Sequence, residues 1–224
     1  MNYTLIVLMV ATGVTVTSSM TCMAHLYRYR RKDFGSQPIV LSIVIIGTTA
    51  LVTGLQFVFP EVLPALRRSP DALSAGEWWR IVTPLFVQPS GWLQCVFNGI
   101  FMLAFLPLAE KLYGKGLLAL YFIPGLAVQP ILHSWLPDGG GSSPAIFGVM
   151  GGLLVYVCRQ RKKLPPQYFP LAIAGLCAAV ALIFIRDGHG LGLVSGALVA
   201  TFLRARPLSH PNTVSENGLE RLRA

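Results

Sequence analysis

The sequence predicts an all-α membrane protein, and three observations carry that prediction. Of its 224 residues 54% are hydrophobic and only 12% are charged, with mean hydropathy +0.61. Soluble domains carry about 25% charged residues, so this composition belongs in lipid. Seven apolar segments recur along the chain, at roughly 3–24, 38–60, 91–109, 116–136, 145–158, 168–185 and 189–203. Every backbone polar group inside a bilayer must be bonded internally, which favours helices over strands. The third observation is the lopsided placement of the basic residues along the chain.

The first segment is expected to be a retained helix. Met1-Asn2-Tyr3 precedes it without Lys or Arg, and Arg28, Arg30, Arg31 and Lys32 follow it. A secretory signal peptide has its positive charge ahead of the apolar run, so this order puts residue 1 outside. The loops then expected inside hold Arg28, Arg30, Arg31, Lys32, Lys111, Lys115, Arg159, Arg161, Lys162 and Lys163. With the tail, they account for 14 of the 18 basic residues, the positive-inside pattern. The net charge of +9 is therefore a topology signal, with attraction to membrane lipid, and not a nucleic-acid footprint. The expected organisation is an additional N-terminal transmembrane helix at 1–26 and a basic cytoplasmic linker at 27–37. A six-helix core at 38–206 and a polar cytoplasmic tail at 207–224 complete it.

The fifth and seventh segments are short for a crossing helix, which needs about 17–25 residues. Helices surrounded by others in a bundle can be short, and these two carry the chemistry. The long outer loop, about 61–90, contains Glu77-Trp78-Trp79-Arg80, and Trp beside Arg is the pattern of an interfacial anchor. Cys22, Cys95, Cys158 and Cys177 fall in or at the ends of apolar segments, with no metal or redox spacing. They are expected to be small buried residues without a disulfide.

Two motifs stand at the starts of the short segments. One is Gly141-Ser142-Ser143-Pro144-Ala145-Ile146-Phe147-Gly148; the other is Asp187-Gly188-His189-Gly190-Leu191-Gly192, followed by Gly196. Polar side chains at membrane depth are costly and mark function. Ser143, Phe147 and Gly151 share one helical stripe, and Gly148 and Gly152 form a GxxxG pair on an adjoining stripe. His189, Gly192 and Gly196 make a small-residue stripe on the last helix. If these faces pack, Ser143 and His189 meet at matching depth. A serine hydroxyl needs a base to become a nucleophile, and imidazole supplies it. Phe147, one turn below, is placed to orient that ring. Gln94 and Asn98, at i and i+4 on an apolar helix, are candidate donors to a developing oxyanion. Taken singly, Ser143 also suits a helix cap beside Pro144, Asn98 suits interhelical glue, and Asp187 suits the water boundary. Whether Asp187 or Gln88 tunes the site is left open by the sequence.

These residues resemble the rhomboid family of intramembrane serine proteases over about residues 38–206. Trp79-Arg80 resembles the family's loop pair, and Gln94 to Asn98 occupies the place of its His-x-x-x-Asn. Gly141-Ser142-Ser143 resembles its nucleophile motif, and His189-x-x-Gly192-x-x-x-Gly196 its final-helix motif. Glu110 falls where the family has a structural glutamate. The resemblance implies a rhomboid-like six-helix bundle with one additional N-terminal helix (1+6). It further implies a Ser143–His189 dyad needing no third acid, no metal or other cofactor, and single-span membrane proteins as substrates. A bacterial plasma membrane is expected, because the amino terminus lacks an Arg-rich transit peptide. Two positions depart from the family: Gln94 stands for its histidine and Pro144 for its glycine. They leave open a second reading, a rhomboid-like protein that binds transmembrane helices without cutting them. A transporter is disfavoured, since ionisable groups are sparse in the helix middles.

Overall fold

The computed structural model describes residues 3–29, 38–135 and 137–208. Ten helices run in order among them: α1 (Tyr3–Tyr29), α2 (Val40–Val58), α3 (Val62–Leu66), α4 (Pro70–Ser74), α5 (Trp92–Tyr113), α6 (Gly116–Ala127), α7 (Gln129–Trp135), α8 (Ser143–Arg159), α9 (Tyr168–Phe184) and α10 (Gly188–Phe202). Two 3₁₀ turns, Trp78–Ile81 and Thr83–Leu85, lie between α4 and α5. The described residues contain no strand beyond one isolated bridge, Arg68 to Gly139. Residues 30–37 of the expected linker and 209–224 of the tail lie outside the described residues.

Four stretches are long and apolar enough to cross a bilayer: Tyr3–Arg28, Val40–Val58, Trp92–Tyr113 and Gly116–Trp135. The last of these is broken. Pro124 lies inside α6, and the helix ends at Ala127 before restarting as α7 at Gln129. Proline removes a ladder donor, and the Gln129 side chain donates to the Gly125 carbonyl at 2.9 Å, close to the interruption. Ser143–Arg159, Tyr168–Phe184 and Gly188–Phe202 are shorter apolar helices.

The shortness of α8 follows from its place at the centre. Its 17 residues span about 25 Å at 1.5 Å per residue, less than the ~30 Å hydrocarbon core. Every residue from Pro144 to Leu154 is buried, as expected of a helix that is apolar all round. It packs against α10, α6, α5 and α9, and touches α1. Contact with α10 is backbone on backbone. A methyl group on Gly196 would land on the Gly148 carbonyl, one on Gly192 on the Pro144 carbonyl, and one on Gly151 on the Leu193 carbonyl. Gly148 and Gly152 turn their open sides toward α6 instead, against Pro124 and Leu120. The GxxxG pair therefore serves α6, while Gly151, Gly192 and Gly196 serve the α8–α10 seam.

Glu110, near the end of α5, caps α2 from outside. Its carboxylate accepts from the Leu41 and Ser42 backbone N–H groups at 3.0 and 2.8 Å, and from the Ser42 hydroxyl at 2.6 Å. An acid at a helix N-terminus satisfies orphan donors and meets the positive end of the dipole. No side chain of α2 itself caps this end.

The first helix extends to Tyr29. It lies along α9, touches α8 and α5, and its Tyr27 hydroxyl donates to the Ala104 carbonyl at 3.0 Å. The four cysteines are free, but only Cys22 is fully buried, and Cys177 is exposed on the outer face of α9. Toward the other end Leu208 is buried, and its carbonyl accepts from Lys163 at 2.7 Å.

Candidate active site

Both α8 and α10 begin at one cavity of about 610 Å³. Ser143, the first residue of α8, and His189, the second of α10, both line it, with Phe147, Gln94, Asn98 and Asp187. Two helix N-termini thus converge on one space, and their partial positive charges favour an anion there. The described hydrogen bonds include none between Ser143 and His189.

The depth of Ser143 is set by the chain before it. Gly141 has φ +130°, outside the region open to ordinary residues, and its N–H donates to the Pro84 carbonyl at 2.7 Å. A side chain at Gly141 would collide with the Gln94 amide nitrogen and come within 3.8 Å of the Ser143 hydroxyl. The segment is held further by the paired backbones of Arg68 and Gly139, and by Arg68 donating to Gln129 at 2.9 Å. Ser142 and Ser143 part company here. Ser142 is fully buried and accepts from the Gln88 amide at 3.3 Å, while Ser143 faces the cavity. Neither hydroxyl caps the helix; Pro144 in the first turn removes one donor need outright.

Phe147 stands one turn down α8 with its ring centroid 4.6 Å from that of His189, the planes inclined at 50°. The two amides of α5 are held in different ways. Gln94 accepts from the Ser90 N–H at 2.9 Å and donates to the Gly140 carbonyl at 3.4 Å. Asn98 is buried and donates to the Gln88 side chain at 2.8 Å. Gln88 is the hub of this chain. Its backbone N–H and carbonyl pair with both ends of the Gln56 amide, at 2.8 and 2.9 Å, while its side chain joins Asn98 to Ser142.

Trp79 and Arg80 do not reach the cavity. Arg80 is buried, pairs with Glu77 at 2.7 Å and donates to the Pro64 and Arg67 carbonyls, both at 2.7 Å. Trp79 is half exposed and donates to the Ala65 carbonyl at 3.2 Å. Together they fasten the long loop around α3.

Sequence reasoning left the roles of Asp187 and Gln88 open and missed other participants. Asp187, also read as a residue of the water boundary, is half-buried and bonded. Its Oδ1 accepts from the His189 backbone N–H at 2.8 Å and lies 2.7 Å from the ring Nδ1. Burial pushes its carboxyl up, but the His189 ring and the N–H groups of His189 and Gly190 outweigh that and hold it below its ordinary value. The spacing of an Asp at N-cap with its favoured bond to the third residue could have signalled this. Ser142 and Arg68 gave no local signal, nor did Thr12 and Val16 of α1, which also line the cavity.

The sequence shows clear relatives once this geometry is in view. A rhomboid domain matches residues 75–206, more than half of the chain. The putative rhomboid protease YdcA of Bacillus subtilis (strain 168) is 28% identical over 138 residues, covering 56% of this chain and 67% of that protein. Rhomboid protease GluP of the same organism is 30% identical over 152 residues, covering 64% of this chain but only 30% of its own length. Rhomboid-like protease 3 of Toxoplasma gondii is 29% identical over 143 residues, covering 58% of this chain and 54% of that protein. The matched region runs from the Trp79-Arg80 loop through both helices that open on the cavity, and on that ground this integral membrane protein belongs to the rhomboid family.

Proposed function

We propose that the protein is an intramembrane serine endopeptidase that cuts single-span membrane proteins in or near their transmembrane segment. The observation that carries this reading is the single cavity shared by Ser143, His189, Phe147, Gln94 and Asn98, at the starts of the buried helix α8 and of α10, which packs against it. In the reaction His189 takes the Ser143 hydroxyl proton as the oxygen attacks the scissile carbonyl carbon. Gln94 and Asn98 supply donors to the oxyanion, and the convergent helix N-termini add to the field that favours it. The C–N bond then breaks, the amine leaves with the proton held by His189, and water releases the acyl group from Ser143 by the same route. Single-span membrane proteins reach such a site without leaving the bilayer.

The same reading takes 38–206 as the catalytic core, 1–26 as the additional helix of a 1+6 arrangement, and 207–224 as the tail. It sets residue 1 outside and the tail in the cytoplasm of a bacterial cell, as the basic residues favour. A second reading, a non-cutting binder of transmembrane helices, draws on two observations. Pro144 offers no N–H beside the nucleophile, and the Gln94 amide nitrogen is turned to the Gly140 carbonyl. Loss of one oxyanion donor costs about 10²–10³ in rate.

Cleavage of a single-span test substrate by purified protein in liposomes separates the two. Ser143→Ala and His189→Ala are expected to abolish cutting, while Ser142→Ala retains it. Labelling of wild type by a fluorophosphonate probe, lost in Ser143→Ala, marks a competent nucleophile. Neither cutting nor labelling in wild type would favour the binder.

A further inference from the structure

The family resemblance asks for two catalytic groups, yet a third side chain is bonded to the base in this protein. We propose that Asp187 is a positioning residue for His189, holding its ring with the proton on Nδ1 and leaving the Nε2 lone pair to accept the Ser143 proton. This rests on the protease reading above, and it extends the Ser–His pair to an acid–base–nucleophile relay of chain order Ser143, Asp187, His189.

A tight turn between two helices delivers Asp187 to the ring. Helix α9 ends with the Asp187 N–H on the Leu182 carbonyl and the Arg186 N–H on the Ile183 carbonyl, both at 2.9 Å. These are the two bonds of a Schellman cap, with Arg186 at φ +60° in the place glycine usually takes. No linker follows. Asp187, in extended conformation, is at once the last residue of that cap and the N-cap of α10. Its position relative to His189 is therefore set by two helix ends, not by a mobile loop.

The second part concerns protons. Oδ1 accepts from the His189 backbone N–H at 2.8 Å and sits 2.7 Å from Nδ1. An ionised carboxylate can only accept, so Nδ1 must be the nitrogen that carries hydrogen. Bonds to the backbone N–H groups of His189 and Gly190, with the ring itself, favour the ionised form of Asp187. Neutral imidazole has one donor and one acceptor nitrogen; with Nδ1 committed, Nε2 is the acceptor. Phe147 limits the ring from the α8 side. The other charged groups lining the cavity are Arg186 and Arg68, the latter donating to the Gln129 side chain at 2.9 Å. A carboxylate that did no more than cap α10 would have no need of the ring, and the 2.7 Å contact separates the two roles.

Substitutions can separate them too. Asn and Ser are both good N-caps, so Asp187→Asn and Asp187→Ser keep the helix start and lose the carboxylate. The experiment uses full-length protein with ¹⁵N-labelled histidine in micelles at alkaline pH, with His189→Gln assigning the resonance. Apparent thermal stability and the rate of fluorophosphonate labelling are measured on the same samples. Wild type is expected to show His189 as the Nδ1–H tautomer, and both Asp187 variants to move toward Nε2–H. Labelling and kcat should fall on the order of 10–10²-fold with KM unmoved and only a small drop in apparent Tm, less than for a fully buried triad acid because the His189 side chain is 37% exposed. An unchanged tautomer in both variants would overturn the proposal, as would a labelling loss that merely tracks lost stability. If wild type neither labels nor cuts, the protease reading fails by itself. The tautomer still decides whether Asp187 sets the ring.

Discussion

The two helix interfaces that flank the cavity as walls, α8–α10 and α1–α9, are built on opposite principles. On the α8–α10 side, backbone meets backbone: methyl groups at Gly192 or Gly196 would strike carbonyls that cannot move without moving a helix. On the α1 side, the interface is filled by short side chains. Gly175 of α9 faces the Ser18 side chain, with Cβ 3.1 Å from a Cβ built at Gly175, and Ala11, Thr15, Ser18 and Cys22 make the buried stripe of α1. The Thr15 and Ser19 hydroxyls are buried there without a partner among the described residues. Lipid gives two apolar helices no hydrophobic reason to associate, so packing and polar satisfaction decide how firmly they hold. The first wall has both; the second is less well satisfied. Ser143 and His189 stand on the first, where small displacements matter most to chemistry.

The sharpest way to break the comparison is one methyl group on each wall. Gly196→Ala should destabilise by about 3 kcal/mol, the upper part of the overpacking range, because its neighbours are backbone atoms of α8. Gly175→Ala meets only side chains, of Leu154 and Ser18, and should cost under about 1 kcal/mol. Thermal unfolding in a fixed detergent, read beside fluorophosphonate labelling, checks both; equal losses would erase the distinction between the walls.

Next in size is the polar hub behind Ser143. Gln88→Leu strips the partners from Asn98 and Ser142 while leaving the backbone pairing with Gln56, and should cost roughly 1–3 kcal/mol. Labelling should fall further than stability does, since Asn98 loses its orientation. On the α1 wall the sign should reverse. Thr15→Val with Ser19→Ala removes two unpartnered hydroxyls and should raise stability by about 0.5–1 kcal/mol per site. A drop of similar size would mean those hydroxyls are satisfied in the membrane.

The smallest effect concerns pH. Asp187 has its folded pKa held below the ordinary 3.8, so its contribution is complete above that value and is lost as pH falls through the folded one. The difference in apparent Tm between wild type and Asp187→Asn should therefore be flat from neutral pH down to about 3.8 and vanish below it. His189, Arg186 and Arg68 are the other charged or titratable groups at the cavity, so the same scan on His189→Gln isolates the carboxylate. A difference that survived unchanged well below the folded value would contradict the assignment.

Much of this was legible in the chain because the controlling physics is local. Partition into lipid is a sum over neighbouring residues, so the apolar segments coincide with helices to within a few positions. The helical period places Phe147 one turn from Ser143, and Gly192 and Gly196 on the stripe below His189, before any packing is known. Composition and spacing alone thus determined an all-helical membrane protein with Ser143 and His189 as its candidate chemistry. Only the tertiary structure decided what surrounds them. Gln56, Gln88, Asn98 and Ser142 join across as many as 54 residues, and no local pattern encodes such a network. Thr12 and Val16 line the cavity because α1 lies along α9, a choice that hydropathy cannot make between helices equally apolar. Asp187 meets the His189 ring because Arg186 takes a left-handed turn that joins two helices without a linker. Backbone conformation at one residue, stabilised by the helices on either side of it, aimed that carboxylate.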